Sequence, residues 1–192
     1  MENKNNTFKE YISPILVLVI ICFVVTFALA FTYGITAPII EANAAKAAGE
    51  ARTELLETAE GKFEEYTGDL FVQEEGKVYV EDCYVATNGT GMVITVTSGS
   101  YGGPLKAMIG IDKDGAITAV KVTEQTDTPG VGSKAHTPNY LSQYNGLAEL
   151  QAYEIKKDTS VSAVTGATVS SSAVHKGIYC AVEQFKAMGG VK

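Results

Sequence analysis

A chain of 192 residues with a formal net charge of −7 fits one modest globular domain plus an appendage. Its excess of carboxylates excludes a nucleic-acid partner, because an acidic surface repels a phosphate backbone. Three cysteines with no C-x-x-C pair, and two histidines with no carboxylate cluster nearby, give no support to a zinc ribbon, a locally spaced iron–sulfur centre or a His-built metal site.

At the N-terminus Glu2 and Glu10 balance Lys4 and Lys9, so the net charge belongs to the rest of the chain. Residues 14–37 contain no Asp, Glu, Lys, Arg or His. A helix of that length spans roughly 36 Å at about 1.5 Å per residue, enough to cross a hydrocarbon core of about 30 Å with some tilt. A cleaved secretory signal is the rival, since Ala28-Leu29-Ala30 has the small-x-small form of a cleavage site. The apolar run continues past it through Phe31, Ile35 and Ile40, which favours a retained anchor in the bilayer. Either reading puts the remainder outside the cytoplasm: residues 1–13 inside, 14–37 across the membrane, and an extracytoplasmic C-terminal part. Cys22, inside the run, reads as a small helix-packing residue.

Pro38 punctuates the span and is suited to start a new helix. Residues 39–59 are rich in Ala, Glu, Lys and Leu, with Ile40, Ala44, Ala47, Ala51, Leu55 and Ala59 recurring at helical steps. The spacing predicts a stalk or first helix within residues 38–61, ending near Gly61. From residue 70 the period changes to two. Strands are predicted over 70–73, 78–86 and 92–97, the last two joined by Asn88-Gly89-Thr90-Gly91. Two more, over 106–111 and 116–123, flank the hairpin signal Asp112-Lys113-Asp114-Gly115. Alternation around Ile109 and Val120 suggests a sheet with one buried face. Residues 125–150 are broken by Pro129, Gly130, Gly132 and Pro138 into loops. A final helix carries the apolar stripe Val174, Ile178, Ala181, Val182 and Phe185, capped by Ser170 or Ser171 and stopped by Gly189-Gly190. The predicted class is α+β: an N-terminal transmembrane helix, then one domain, residues 62–192, with an antiparallel-rich sheet and packed helices. Cys83 and Cys180 fit a disulfide or two buried thiols, and His136 and His175 read as surface or helix residues.

No G-x-S-x-G elbow, H-E-x-x-H, P-loop or G-x-G-x-x-G is present. What stands out is the run from Ser162 to Ser172, a hydroxyl-rich, small-residue loop directly before the last helix. The unpaired N–H groups and positive end of that helix suit an anion, and Gly166 and Ala167 leave the backbone open to a bulky group. On physical grounds alone, an ordinary Ser/Thr-rich loop with a helix cap is the favoured reading.

Thr165-Gly166-Ala167-Thr168 resembles the [Ser/Thr]-Gly-Ala-Thr flavinylation motif of the FMN-binding domain family, found in the G subunit of Rnf electron-transport complexes and the C subunit of the sodium-pumping NADH:quinone oxidoreductase. Tyr101-Gly102-Gly103-Pro104 looks like the family's Gly-Tyr-Gly-Gly-Pro segment. Glu124, with Thr128-Pro129-Gly130-Val131-Gly132, resembles its Glu-Thr-Pro-Gly-Leu-Gly loop with two extra residues intervening. Where many flavinylation motifs carry Asp six residues before the acceptor, this chain has Ser162.

The resemblance implies FMN esterified through its phosphate to Thr168, installed by a separate flavin transferase. It implies phosphate neighbours at Thr165, Gly166, Ala167 and Ser171. Further cofactor contacts would come from Tyr101, Gly102, Gly103, Glu124, Thr128, Pro129, Gly130 and Gly132; Gly130 and Gly132 fit positive-φ turns as well, Tyr101 fits simple packing, and Glu124 fits an exposed strand-end carboxylate. It further implies an electron-relay subunit of an ion-translocating ferredoxin:NAD⁺ oxidoreductase, partnered by other integral membrane subunits and without turnover of its own. An exported flavoprotein for extracellular electron transfer and a non-redox anchored module are the rival functions.

Overall fold

The computed structural model describes residues 11–191; the charge balance of Glu2, Lys4, Lys9 and Glu10 lies outside them. The chain divides into two compact units between Ala47 and Ala48.

The first long element, α1 (Ser13–Leu55), is the one helix among the described residues long and apolar enough to cross a membrane. Its most apolar 18-residue window has a mean hydropathy of 3.0 and is wholly exposed, which in water would be costly and in lipid is favourable. Within it the hydroxyls of Thr26, Thr32 and Thr36 donate back to the carbonyls of Cys22, Ala28 and Thr32 at 2.7–3.0 Å, so these three need no water partner. The sequence places a break at Pro38, and the structure does not: α1 runs through it. Proline removes one i→i−4 bond, and the good helix formers on either side carry the helix across that gap.

In the second unit, β1 (Phe63–Glu65), β2 (Val72–Glu74), β3 (Val78–Ala86), β4 (Gly91–Gly99), β5 (Pro104–Asp112) and β6 (Ile117–Glu124) form one antiparallel sheet of order β1-β3-β4-β5-β6. β2 also pairs with β3. The β5–β6 hairpin closes where the sequence places it: Asp112 Oδ1 accepts the N–H groups of Asp114 and Ala116 at 2.9 Å, and Gly115 takes φ +89°. β1 is short, acidic and on the edge, so it has no alternating signature to read.

After β6 come a 3₁₀ turn (Gly132–His136), a short α2 (Pro138–Leu141) and the long α3 (Thr168–Met188). α3 lies across the sheet with Val174, Ile178, Ala181 and Val182 buried on Ile94, Val96, Ile109 and Ile111. Burial of each of these valine and isoleucine side chains is worth about 1.5–3 kcal/mol. Gly177 is what lets it lie so close, since a Cβ there would stand 2.9 Å from Val96 Cγ2. Gly189, at φ +71°, ends the helix by donating to the Lys186 carbonyl.

The opposite face is also covered. Ala51, Leu55, Leu56 and Ala59 pack on Ala86, Val93 and Met108, so β4 is buried on both sides. This corrects the expectation of a single buried face: the last turns of α1 cover the side that alternation would leave wet. Cys83 and Cys180 are free thiols in the core, and burial pushes them up to about 12 and about 11.

Gly110 marks the tightest approach of α1 to the sheet, where Thr118 Oγ1 donates to the Leu55 carbonyl at 2.5 Å. An added Cβ at Gly110 would stand 2.5 Å from that carbonyl oxygen and 2.4 Å from Thr118 Oγ1. Gly110→Ala is therefore expected to cost about 1–3 kcal/mol. Gly49→Ala, in a helix with open space around it, should instead stabilise by about 0.5–1 kcal/mol. Thermal melts of the full chain in detergent, followed by circular dichroism, should show the two shifts in opposite directions.

Candidate functional site

Three loops of the second unit converge at one end of α3: the β4–β5 connection, the segment following β6, and the Gly-Ala turn that starts the helix. Between them is a cleft of about 530 Å³, lined by Tyr101, Asp127, Thr128, Val131, Gly132 and residues 166–170. That volume is in the range of small-molecule and cofactor sites.

Asp127 ties the loops together. Its carboxylate accepts the Gly102 N–H at 2.7 Å on Oδ1 and the Ser100 hydroxyl at 2.5 Å on Oδ2, and the Ser170 hydroxyl as well. Gly102 is needed for this approach, because a Cβ there would fall 2.1 Å from the Thr126 carbonyl oxygen. Gly132 is needed too, since its Cβ would stand 2.7 Å from Ser170 Oγ and 2.8 Å from Asp127 Cβ. Burial opposes the charge on Asp127, but the hydrogen bonds outweigh it and hold the carboxyl below its ordinary range.

His136 Nε2 lies 3.2 Å from Asp127 Oδ2, off the line a hydrogen bond requires, and neither ring nitrogen has a hydrogen-bond partner among the described residues. Burial lowers the affinity of His136 for a proton more than Asp127 raises it, so the ring is neutral at pH 7. The His136 side chain is thus buried under the cleft and not on the surface. His175 is buried also: its Nε2 is 2.7 Å from the Ala152 carbonyl and so carries the proton, leaving Nδ1 to accept from Tyr144.

The helix start differs from the capped form expected. Ala167 is the N-cap residue, with no side-chain cap, and Thr168 is the first helical residue. Ser171 N–H already bonds the Ala167 carbonyl at 2.9 Å, so the N–H groups of residues 168–170 are the ones without an intrahelical acceptor. The Ser171 hydroxyl is buried and accepts from Val164 N–H at 3.0 Å, bracing the loop from behind. Among the described residues none hydrogen-bonds the Thr168 hydroxyl.

Thr168 and Val169 also line a second, more open cleft of about 410 Å³, with Gly99, Glu154, Lys156, Ser172, Ala173 and Lys176. Lys176 is partly answered by Glu74 at 3.1 Å and lies over the Tyr153 ring. Thr168 therefore stands on the rim shared by two clefts, one holding a buried carboxylate and the other two lysines.

Of the residues singled out in the sequence, Thr168, Gly166, Ala167, Tyr101, Thr128 and Gly132 meet at the first cleft. Gly102 braces it through its N–H, and Gly103, at φ +142°, shapes the same turn. Gly130, at φ +77°, turns the following loop, and its N–H donates to Ser133 Oγ at 2.8 Å; with Pro129 it does not line the cleft. Thr165 is exposed and lines neither cleft. Glu124 ends β6 on the surface, 3.8 Å from Lys106, and is not brought to the site. The residues that sequence reasoning missed are Asp127, Val131, His136, Val169 and Ser170. The signal for Asp127 was present: Asp127-Thr128-Pro129-Gly130-Val131-Gly132 reads as the Glu-Thr-Pro-Gly-Leu-Gly loop without any insertion, Asp standing for Glu. Among the described residues no cluster of three or more His, Cys, Asp or Glu is placed to hold a metal.

One helix is long and apolar enough to cross a membrane, the domain after it closes its loops around a cleft of cofactor size at a helix start, and residues 100–183 match the FMN-binding domain family. Over nearly their whole length the relatives agree. The chain is 30% identical to the G subunit of the ion-translocating oxidoreductase complex of Methanosarcina acetivorans, covering 95% of this chain and 98% of that one. It is 29% identical to the G subunit of the proton-translocating ferredoxin:NAD(+) oxidoreductase complex of Clostridium ljungdahlii, covering 91% of each. Identity to the Na(+)-translocating counterpart of Acetobacterium woodii is 28%, over 89% of each. The chain belongs to this family of G subunits of ion-translocating oxidoreductase complexes. A crystal structure of Shewanella oneidensis NqrC aligns with a TM-score of 0.45 and 21% identity, over 55% of this chain and 57% of that one.

The two buried imidazoles make stability depend on pH. Both are held below their ordinary 6.5 by burial, so below that value the unfolded chain binds protons the folded chain does not. Stability should be full above pH 6.5 and fall as the pH is lowered from there. Asp127 and Asp158, held below their ordinary 3.8, add a second loss as the pH drops below that value. Urea midpoints measured from pH 8 to 5 test the first part, and a flat profile contradicts it.

Proposed function

We propose that this chain is the electron-relay subunit of a membrane ion-translocating complex of the Rnf-like ferredoxin:NAD⁺ type, and that it carries FMN joined through its phosphate to Thr168 Oγ1. The observation that carries the reading is the position of Thr168: first residue of α3, on the rim of two clefts, with its hydroxyl free of any hydrogen bond among the described residues. The fit to FMN is chemical as well as spatial. The N–H groups at the start of α3 suit a phosphate, Lys156 and Lys176 lie on one side of Thr168, and Tyr101, Val131 and Val169 offer an apolar rim on the other. Bound there, the flavin supplies reversible electron transfer; the residues around it position it and tune it.

Among the described residues none accepts a hydrogen bond from the Thr168 hydroxyl, and a threonine hydroxyl not engaged by a base is a weak nucleophile. Attachment therefore falls to a flavin transferase: the Thr168 oxygen takes the flavin-side phosphorus of FAD, its proton is lost, and AMP leaves. The exposure of Thr165 and Gly166 leaves that loop open to such an enzyme. In this reading residues 1–13 are cytoplasmic, 14–37 span the bilayer, 38–61 form the helical stalk or first helix, and 62–192 form the FMN-binding domain on the extracytoplasmic side, beside the other integral membrane subunits.

Intact mass of the chain co-expressed with a flavin transferase tests the covalent bond. Wild type should gain the mass of FMN less one water, Thr168→Val should gain nothing, and Thr165→Val should keep the adduct. A wild-type chain that stays unmodified, with the transferase active on another substrate, refutes the attachment.

A further inference from the structure

The two clefts that share Thr168 differ in charge. Asp127 is the one charged residue among the described residues lining the first, whereas Lys156 and Lys176, with Glu154, line the second. The first presents one carboxylate and no cation to a phosphodiester on Thr168, whereas in the second two lysines stand with Glu154, and Lys176 is already paired with Glu74. The rim of the first is apolar, with Tyr101 77%, Val131 50% and Val169 53% exposed, as a planar aromatic ring requires.

We propose that Asp127 tunes the flavin: its fixed carboxylate under the ring-side cleft makes the cofactor harder to reduce. This rests on the covalent FMN reading above. The charge is unusually well held in place. The side chain is 1% exposed, Oδ1 is pinned by Gly102 N–H, and Oδ2 by the Ser100 hydroxyl. It can neither swing away nor be screened by bulk water. The one imidazole beside it does not cancel it, because His136 is neutral and makes no aligned hydrogen bond to it. An electron added to a flavin in this cleft enters a field already negative, in surroundings of low effective dielectric. The brace that shapes the cleft thereby also biases the reduction equilibrium toward the oxidised form.

A purely structural brace would move folding or flavin loading but not the potential of a loaded flavin, and the two roles are separated on that basis. The full chain in detergent is flavinylated by a co-expressed transferase and its adduct confirmed by mass, and its midpoint potential is measured by spectroelectrochemistry. Asp127→Asn, nearly isosteric and uncharged, should raise the potential by about 59 mV for a one-electron couple, a tenfold change in the equilibrium constant. Asp127→Glu should stay near wild type. Ser100→Ala, which strips a donor from the carboxylate and leaves the charge less compensated, should shift the potential the opposite way, to more negative values. This last variant decides the matter if Asp127→Asn does not fold. A loaded Asp127→Asn at the wild-type potential overturns the proposal, and so does a Ser100→Ala potential that is unchanged or raised. A wild-type chain with no adduct removes the covalent reading, and this inference falls with it.

Discussion

A carboxylate taken out of water costs several kcal/mol unless its lone pairs are answered, and at Asp127 the answers come from two segments distant from its own. The Ser100–Gly102 turn follows β4, the segment carrying Asp127 follows β6, and Ser170 sits in the first turn of α3. The two loop segments have no core of their own, whereas Ser170 belongs to the anchored helix α3. Each is held where it is because the charge between them is left unpaired if any one withdraws. The glycines are part of the same constraint: a side chain at Gly102 or Gly132 would occupy the space in which the loops meet. The rim around Thr168 is thus an outcome of satisfying one buried charge.

The rest of the unit supplies the fixed frame on which those loops are mounted. β4 and β5 are the central strands, covered by α3 on one side and the end of α1 on the other. Their ends project the β4–β5 turn, and the seat of α3 at Gly177 on Val96 sets where its first residue falls. Thr168 is therefore placed by packing far from itself, along the stripe through Val174, Ile178 and Val182. A site at the start of a helix that is well anchored along its length can present a hydroxyl to solvent and still hold its position.

Much of this was legible in the sequence for a simple reason: period and punctuation are local. The strand over 78–86, the Asp112–Gly115 hairpin, the stripe of α3 and the apolar run near the N-terminus all follow from residues a few positions apart. The passage of α1 through Pro38, the uncapped start of α3 at Ala167 and the burial of His136 were not legible. Each is decided by neighbours distant in the chain or by the sum of good helix formers on both sides. Glu124 and Asp127 show the limit most clearly. Three residues apart and of the same chemistry, one ends on the surface beside Lys106 and the other is buried at the meeting point of three loops.

By itself, then, the sequence determined the α+β class, the membrane-length apolar helix, the order of the strands along the chain and the Thr165–Thr168 motif, since all of these are written in composition and short-range spacing. Only the tertiary structure decided which face of the sheet is covered, which carboxylate reaches the cleft, and that Thr168 stands between a recess with one buried carboxylate and another lined by Lys156, Lys176 and Glu154. Those outcomes depend on the register of β4 against β5 and on the seat of α3 on the sheet, which bring together side chains that local spacing cannot relate.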